Sequence, residues 1–450
     1  MRSGPWLVSA LLLGAACSPT VPPPDVVLVI IDTLRADRTS VMPGGPQTTP
    51  RLAAWAEDGV VYSQAVAPSS WTLPSMASML SGQPVAHNRS AVFPDRPLLA
   101  ERFADAGYRT VGLVANPLLT EDNGFTRGFE SYDVAPAQST ASLRASIHDL
   151  RAWDAEALVS RAIEAVGDTP DDTPLFLYLH LMDPHIPYDP ANGKLAQFEP
   201  GWSFANASDM VAWTDALDAN DAGLLGGWRQ NYDGQVVFSD RALGRLFDNL
   251  AETRTRSALV AVTSDHGEGL FTHRRNPDSP GGEGLYQGYD DHGEQVYEEA
   301  IRVPLWLVGP GVPAGRTETR PVALYDLSDT LLSLAGLTSG RRSLPLSAGD
   351  DVPPEIFGCG TRGWFLRTGD HKLVVPSQGR ADRPGVRTRL YEVEADAYRP
   401  ELQDLSRREA ETYRSFLERW EGWVTDLSDQ TEAPVDEATL ERMRALGYVR

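Results

Sequence analysis

Residues 258–268 read ALVAVTSDHGE, an unbroken apolar run that stops on an aspartate and a histidine. A run of this length suits a strand covered on both faces, the condition of a parallel sheet between helix layers. The way it ends is the informative part. Asp265 and His266 are costly among apolar neighbours unless another group compensates them. In open α/β sheets, ligands occupy the crevice beyond the carboxyl ends of the strands, which is where this pair falls.

Four further runs have the same character: VVLVIID (26–32), TVGLVA (110–115), LFLYLHLM (175–182) and VPLWLVG (303–309). Between them lie amphipathic helical patterns, TPRLAAWAEDG (49–59), LLAERFADAG (98–107), DAEALVSRAIEAVG (154–167) and SDRALGRLFDNLAE (239–252). Gly59, Gly107 and Gly167 each follow the last periodic residue, where a helix C-cap favours left-handed backbone. The alternation predicts an α/β domain over residues 25–345, a mostly parallel sheet sandwiched by helices and closed by LYDLSDTLLSLAGL (324–337). Beyond it, GWFLRTG (363–369), HKLVVPS (371–377) and TRLYEVE (388–394) predict short antiparallel strands, followed by a polar helix near 404–425. Residues 346–450 are thus expected to form a smaller C-terminal α+β domain, as a chain of 450 residues requires when single cores stop growing near ~250–300.

Three strand ends carry acid or imidazole groups: Asp32, Asp183 with His185 in HLMDPHIPY (180–188), and Asp265 with His266. Their convergence on one rim calls for a divalent cation to relieve the carboxylates. A second component is SSWTLPSMASMLSG (69–82), where Pro74 and Gly82 frame a short helix. Thr72 sits just ahead of it. Amides at a helix start attract anions, so a hydroxyl there faces a negatively charged ester; the plain reading of Thr72 is a helix cap. A hydroxyl becomes a competent nucleophile when a metal or base lowers its pKa.

The chain opens with MRSGPWLVSALLLGAAC (1–17), in which Arg2, a short apolar segment and small residues precede Cys17. That is the layout of an export signal, and it is shorter than the ~20 residues of a membrane span. Cys17 followed by SPTVPPPD resembles a bacterial lipoprotein signal. It implies an exported, cell-envelope lipoprotein, periplasmic or on the outer surface, touching the membrane only through a lipid on Cys17; ordinary cleavage and secretion is the alternative. Residues 18–24 are a Pro-rich tether. Cys359 is the sole other cysteine, which excludes a disulfide framework and makes it a small buried residue. A net charge of −22 excludes a nucleic-acid partner, which needs a basic footprint.

VVLVIIDTLRAD, WTLPSMASMLSG, LYLHLMDPHIPY, TSDHGE and HGEQVYEEAIRVPLWLVGPG, in this order over residues 25–345, resemble the sulfatases of the alkaline phosphatase superfamily. LYEVEADAYRPELQDL (390–405) resembles their C-terminal part. The resemblance implies that fold, with one divalent cation (Ca, Mn, Zn or Mg) held by Asp32, Asp265 and His266. Thr33 stands in the place of a further acidic or amide ligand, and Thr72 in that of the nucleophile, itself a metal ligand. His185 and His273 match histidines that hold the transferred group or move a proton. His292 takes the place of a substrate-binding lysine or histidine. Typical sulfatases carry Cys or Ser as nucleophile, oxidised to formylglycine, with Arg four residues on. Thr72 and Met76 stand here, so no formylglycine is expected. Ala115-Asn116-Pro117 replaces a Lys-Trp-His element and leaves Asn116 as the substrate-contacting residue of that segment.

The implied activity is metal-dependent hydrolysis of sulfate or phosphate mono- or diesters through Thr72, with the ester borne on a glycan or a lipid headgroup. A surface binding protein on a decayed scaffold and a phospho-group transferase are the competing readings. Trp202, Trp213 and Trp228, within 186–230, either pack a lid or stack on a sugar. RRNPDSPGGEGLYQGYDD (274–291) reads as a loop at the mouth of the site.

Overall fold

The computed structural model describes residues 22–85, 95–136, 153–185, 222–270, 292–293, 295–338, 340–351, 355–361, 363–376, 388–393 and 404–428, without the side chains of 222–228 and 426–428. The leader, Cys17, His273, Trp202, Trp213, the 274–291 stretch and the C-terminal tail lie outside these residues, as does the side chain of Trp228.

Strand β1 (Asp25–Ile31) is buried at all seven positions, and its alternation explains why. Val26, Leu28 and Ile30 face one core cluster, while Val27, Val29 and Ile31 face the other. It pairs in parallel with β5 (Leu175–Leu181) and with β6 (Ala258–Thr263). Beyond β5 come β3 (Arg109–Val114) and β4 (Ser131–Val134), also parallel. On the far side of β6 lies β7 (Arg302–Val308), which runs antiparallel to both β6 and β2 (Gly59–Val66). β8 (Arg316–Glu318) and β9 (Val322–Ala323) pair in parallel with β2. The order β4-β3-β5-β1-β6-β7-β2-β8 gives the expected mostly parallel sheet, with β7 the reversed strand.

Helices cover both faces. α1 (Pro50–Ala56), α4 (Ala155–Gly167) and α5 (Ala222–Thr253) lie on one side, contributing Leu52, Leu158 and Phe247 to the core. On the other lie α2 (Thr72–Ser81), α3 (Leu99–Asp105) and α7 (Leu327–Leu334), with Met76, Phe103 and Leu331. A single turn of helix, α6 (Glu298–Ile301), precedes β7.

Some expectations needed revision. α5 extends far upstream of residue 239, because Gly226, Gly227 and Gly234 hide its apolar period without breaking the helix. Of the three proposed left-handed caps, Gly107 has φ +83°. Gly167 instead lies inside α4. Gly59 opens β2, where a Cβ would stand 1.9 Å from the Leu307 carbonyl.

The C-terminal strands β10 (Ile356–Gly360), β11 (Gly363–Thr368), β12 (His371–Pro376) and β13 (Arg389–Glu392) form an antiparallel sheet in sequence order. One face, through Ile356 and Phe365, packs on Ile301, Ala323 and Tyr325. The opposite face, through Phe357, Leu366 and Leu373, meets Phe416 and Trp420 of α8 (Ala410–Ser428). Arg367 and Lys372 are cross-strand partners, and both reach buried Glu298, at 2.9 and 3.0 Å. Their charges more than offset the effect of burial and hold the Glu298 carboxyl at about 2.

Candidate active site

The carboxyl ends of β1, β5 and β6 come together beside the first turn of α2. Asp32 follows β1 and Asp265 and His266 follow β6; all three are fully buried. Each offers a ligand atom, and these atoms lie within 4.8 Å of one another.

The two carboxylates are handled alike. Asp32 Oδ2 accepts from Asn116 Nδ2 at 2.8 Å and from His180 Nε2 at 3.1 Å. Asp265 Oδ1 accepts from the His266 amide at 2.9 Å and, more weakly, from the Thr33 amide at 3.4 Å. The other oxygens, Asp32 Oδ1 and Asp265 Oδ2, accept no hydrogen bond among the described residues. They stand 3.7 and 3.4 Å from His266 Nε2. The imidazole is oriented to match, because Nδ1 lies 2.9 Å from the Gly267 carbonyl. A carbonyl only accepts, so Nδ1 carries the proton and Nε2 presents a lone pair to the same space. Two buried carboxylate oxygens without donors and an imidazole lone pair converging on one point fit a divalent cation. The electrostatics agree. Burial and the Asp32 charge push the Asp265 carboxyl up. Asp32, despite burial, is held well below the usual range, chiefly by the His180 hydrogen bond.

Thr72 is the first residue of α2, not a residue ahead of it. The N-cap is Trp71, which makes no side-chain cap, so the helix-cap reading of Thr72 does not hold. Its buried Oγ1 accepts from Asn116 Nδ2 at 3.2 Å and lies 3.4 Å from His266 Nε2. Asn116 therefore bridges Asp32 and Thr72. Thr33 has its hydroxyl on the Asp32 carbonyl, 2.7 Å away, and a φ of +58°, an uncommon conformation for a β-branched residue. Its amide, not its hydroxyl, reaches Asp265. The turn is secured by the Tyr232 hydroxyl, which donates to the Thr33 carbonyl at 2.8 Å and accepts from the Arg35 amide at 2.9 Å.

His185 and His292 are buried beside the cluster, their rings 4.9 Å apart, with His292 4.6 Å from His266. His292 Nδ1 lies 3.3 Å from both oxygens of Glu268. Burial would raise the Glu268 carboxyl, yet the charge and hydrogen bond of His292 bring it below its ordinary value. Asp183 does not join the group: it accepts from the Ala155 amide at 2.9 Å and so secures the start of α4.

Behind the site, β10 buttresses the approach to Thr72. Cys359 exchanges backbone bonds with Pro68 and Ser70, and the Gly293 amide donates to the Ser70 carbonyl at 2.7 Å. Cys359 is the buried residue expected, its thiol pushed up to about 12 by burial.

With this geometry in view, the family can be tested by comparison. A family model described as Sulfatase matches residues 24–337. The chain belongs to the sulfatase family. It is accordingly a hydrolase of the sulfuric and phosphoric ester class. Arylsulfatase K of Gallus gallus is 25% identical over 485 residues, covering 92% of this chain and 86% of the relative. Among solved structures, the phosphonate monoester hydrolase of Agrobacterium radiobacter superposes with a TM-score of 0.65 at 19% identity, covering 90% of this chain and 96% of the other. A structure in complex with its substrate D-glucosamine-2-N,6-O-disulfate has a TM-score of 0.65 at 16% identity, covering 91% and 99%.

Three site-lining residues went unassigned in the sequence reading. His180 was visible as the one imidazole in LYLHL, two positions from Tyr178 and so on the same face. Glu268 lay within the quoted TSDHGE. Arg35, donating to the Glu268 and Gly269 carbonyls at 2.9 and 3.0 Å, carried no distinguishing signal.

Proposed function

We propose that this chain hydrolyses phosphate or phosphonate esters through Thr72 as covalent nucleophile, with a divalent cation held by Asp32, Asp265 and His266. The observation that carries the reading is the position of Thr72 Oγ1, buried at the start of α2, 3.4 Å from His266 Nε2 and fixed by Asn116 at 3.2 Å. When bound, the cation supplies charge compensation and lowers the pKa of an adjoining hydroxyl.

The chain's own residues supply the rest. Asn116 holds Thr72 Oγ1 in line with the ester, and the opening turn of α2 directs its dipole at the transferred anion. Glu268 orients His292 through Nδ1. His185 and His292 are placed to protonate the departing alcohol oxygen. Thr72 Oγ1, its proton released to solvent, forms the new bond to phosphorus as the bond to the alcohol oxygen breaks. Water, giving a proton to the histidine that protonated the alcohol, then displaces Thr72 by a second in-line attack, and Thr72 regains a proton. A threonine-bound sulfate lacks the release route that an aldehyde hydrate gives formylglycine enzymes, which favours phosphorus over sulfur. The disposition of both carboxylates, each with one oxygen fastened and one presented, speaks against a decayed scaffold.

The sugar ligands of similar proteins, D-glucosamine-2-N,6-O-disulfate and k-i-k-neocarrahexaose, favour an ester carried on a sugar. The leader and Cys17 favour an exported protein anchored by lipid. The test is a panel of aryl sulfate, aryl phosphate, aryl phosphonate and diaryl phosphate, assayed with and without chelator. The reading expects turnover of the phosphorus esters, abolished by chelator and by Thr72→Ala. Turnover of the sulfate alone, or full activity in Thr72→Ala, refutes it.

A further inference from the structure

His180 is a fully buried histidine in a strand that is otherwise apolar apart from Tyr178, and the mechanism above does not use it. A ring in such a place is costly unless both nitrogens are satisfied. Both are: the Tyr178 hydroxyl is 2.9 Å from Nδ1, and Asp32 Oδ2 is 3.1 Å from Nε2. The carboxylate oxygen only accepts, so Nε2 carries the proton; in the neutral ring that leaves Nδ1 to accept from the Tyr178 hydroxyl. Tyr178 thereby selects the tautomer that Asp32 requires.

We propose that Tyr178 and His180 form a positioning relay that fastens Asp32 Oδ2 and so presents Oδ1 to the cation. This inference rests on the cation reading above. Together with Asn116, the relay supplies the second of two donors to Oδ2. Without it the carboxylate retains one donor and is free to rotate about its terminal bond. Outer partners of this kind fix ligand orientation, and their loss typically costs ~10–100-fold in metal affinity.

The side-chain isosteres give a sharp test. The amide nitrogen of glutamine reaches the place of Nε2, whereas that of asparagine reaches only the place of Nδ1. Full-length protein, stripped of metal with chelator, is titrated calorimetrically with Mn2+, Zn2+ and Ca2+ separately. The metal-free variants are melted in parallel to confirm their fold. The proposal expects one equivalent bound by the wild type, ~10–100-fold weaker binding in His180→Asn, and near wild-type binding in His180→Gln. Tyr178→Phe, which removes one oxygen and leaves the packing intact, is expected to weaken binding in the same direction by less. Unchanged affinity in His180→Asn and Tyr178→Phe overturns the relay while the cation reading stands. Should His180→Asn fail to fold, Tyr178→Phe decides alone. A wild type that binds none of the three metals overturns the cation reading, and the relay with it.

Discussion

Gly267 follows His266 and lies close against the backbone of the 298–301 turn. Its amide donates to the Ala300 carbonyl at 2.9 Å, and the next amide, of Glu268, donates to the Glu299 carbonyl at 3.1 Å. A Cβ on Gly267 would stand 2.0 Å from the Glu299 carbonyl oxygen and 3.0 Å from its carbon. Carbon–oxygen contacts sit near ~3.3 Å, so Gly267→Ala must drive the segments apart by over an ångström. The clash is with backbone, which has no rotamer to escape into. Overpacking of this kind costs about 1–3 kcal/mol. The displaced residues are the immediate neighbours His266 and Glu268, and misplacement of catalytic groups by ~1 Å costs ~10²-fold in rate. The assay is kcat/KM on an aryl phosphate, beside a urea melt. Gly167→Ala serves as control, since nothing lies within 4 Å of its added Cβ; it is expected to keep full activity. Wild-type rate and stability in Gly267→Ala would refute the interlocking of β6 with the 298–301 turn.

Three further outcomes follow from the same structure. Glu298→Gln leaves Arg367 and Lys372 buried without their counter-charge, and is expected to cost about 3–5 kcal/mol in a denaturant melt; a loss below ~1 kcal/mol would remove this cluster as the tie between the sheets. His371 bridges Asp370 at 2.7 Å and Glu409 at 3.0 Å, and though partial burial lowers it, these carboxylates raise its pKa above 6.5. Its contribution is therefore complete below pH 6.5 and lost as pH rises through the folded value. Because the site is partly exposed, the effect is about 0.5–1 kcal/mol, read as a larger fall in Tm from pH 6 to 8 than His371→Gln shows. The lipid anchor proposed for Cys17 predicts that Cys17→Ser lowers the share of the protein recovered with membranes; unchanged fractionation would contradict that anchor.

The apolar runs that announce β1, β3, β5, β6 and β7 were legible because both faces of each are covered, so periodicity and burial coincide. β2 was not. Ser63 and Gln64 interrupt VVYSQAV at a register shift between Tyr62 and Ala65, and their polar groups bond to the Glu318 and Thr319 carbonyls. That bond pattern is invisible from local sequence. At the site, Asp32, Asp265 and His266 could be read from where they end their strands. Thr33 could not: a residue type standing in a ligand's place says nothing about a backbone turned to φ +58°. His180 escaped because one imidazole in an apolar strand is ordinarily a satisfied core residue; its partner Asp32 lies 148 positions away.

The central claim is that Thr72 forms a bond to the transferred group. The direct measurement is rapid acid quench of the metal-loaded protein turning over an activated aryl phosphate, followed by peptide mass mapping. A phosphoryl adduct on Thr72, absent from Thr72→Ala, is the result expected. Steady turnover with the label on another residue would contradict it.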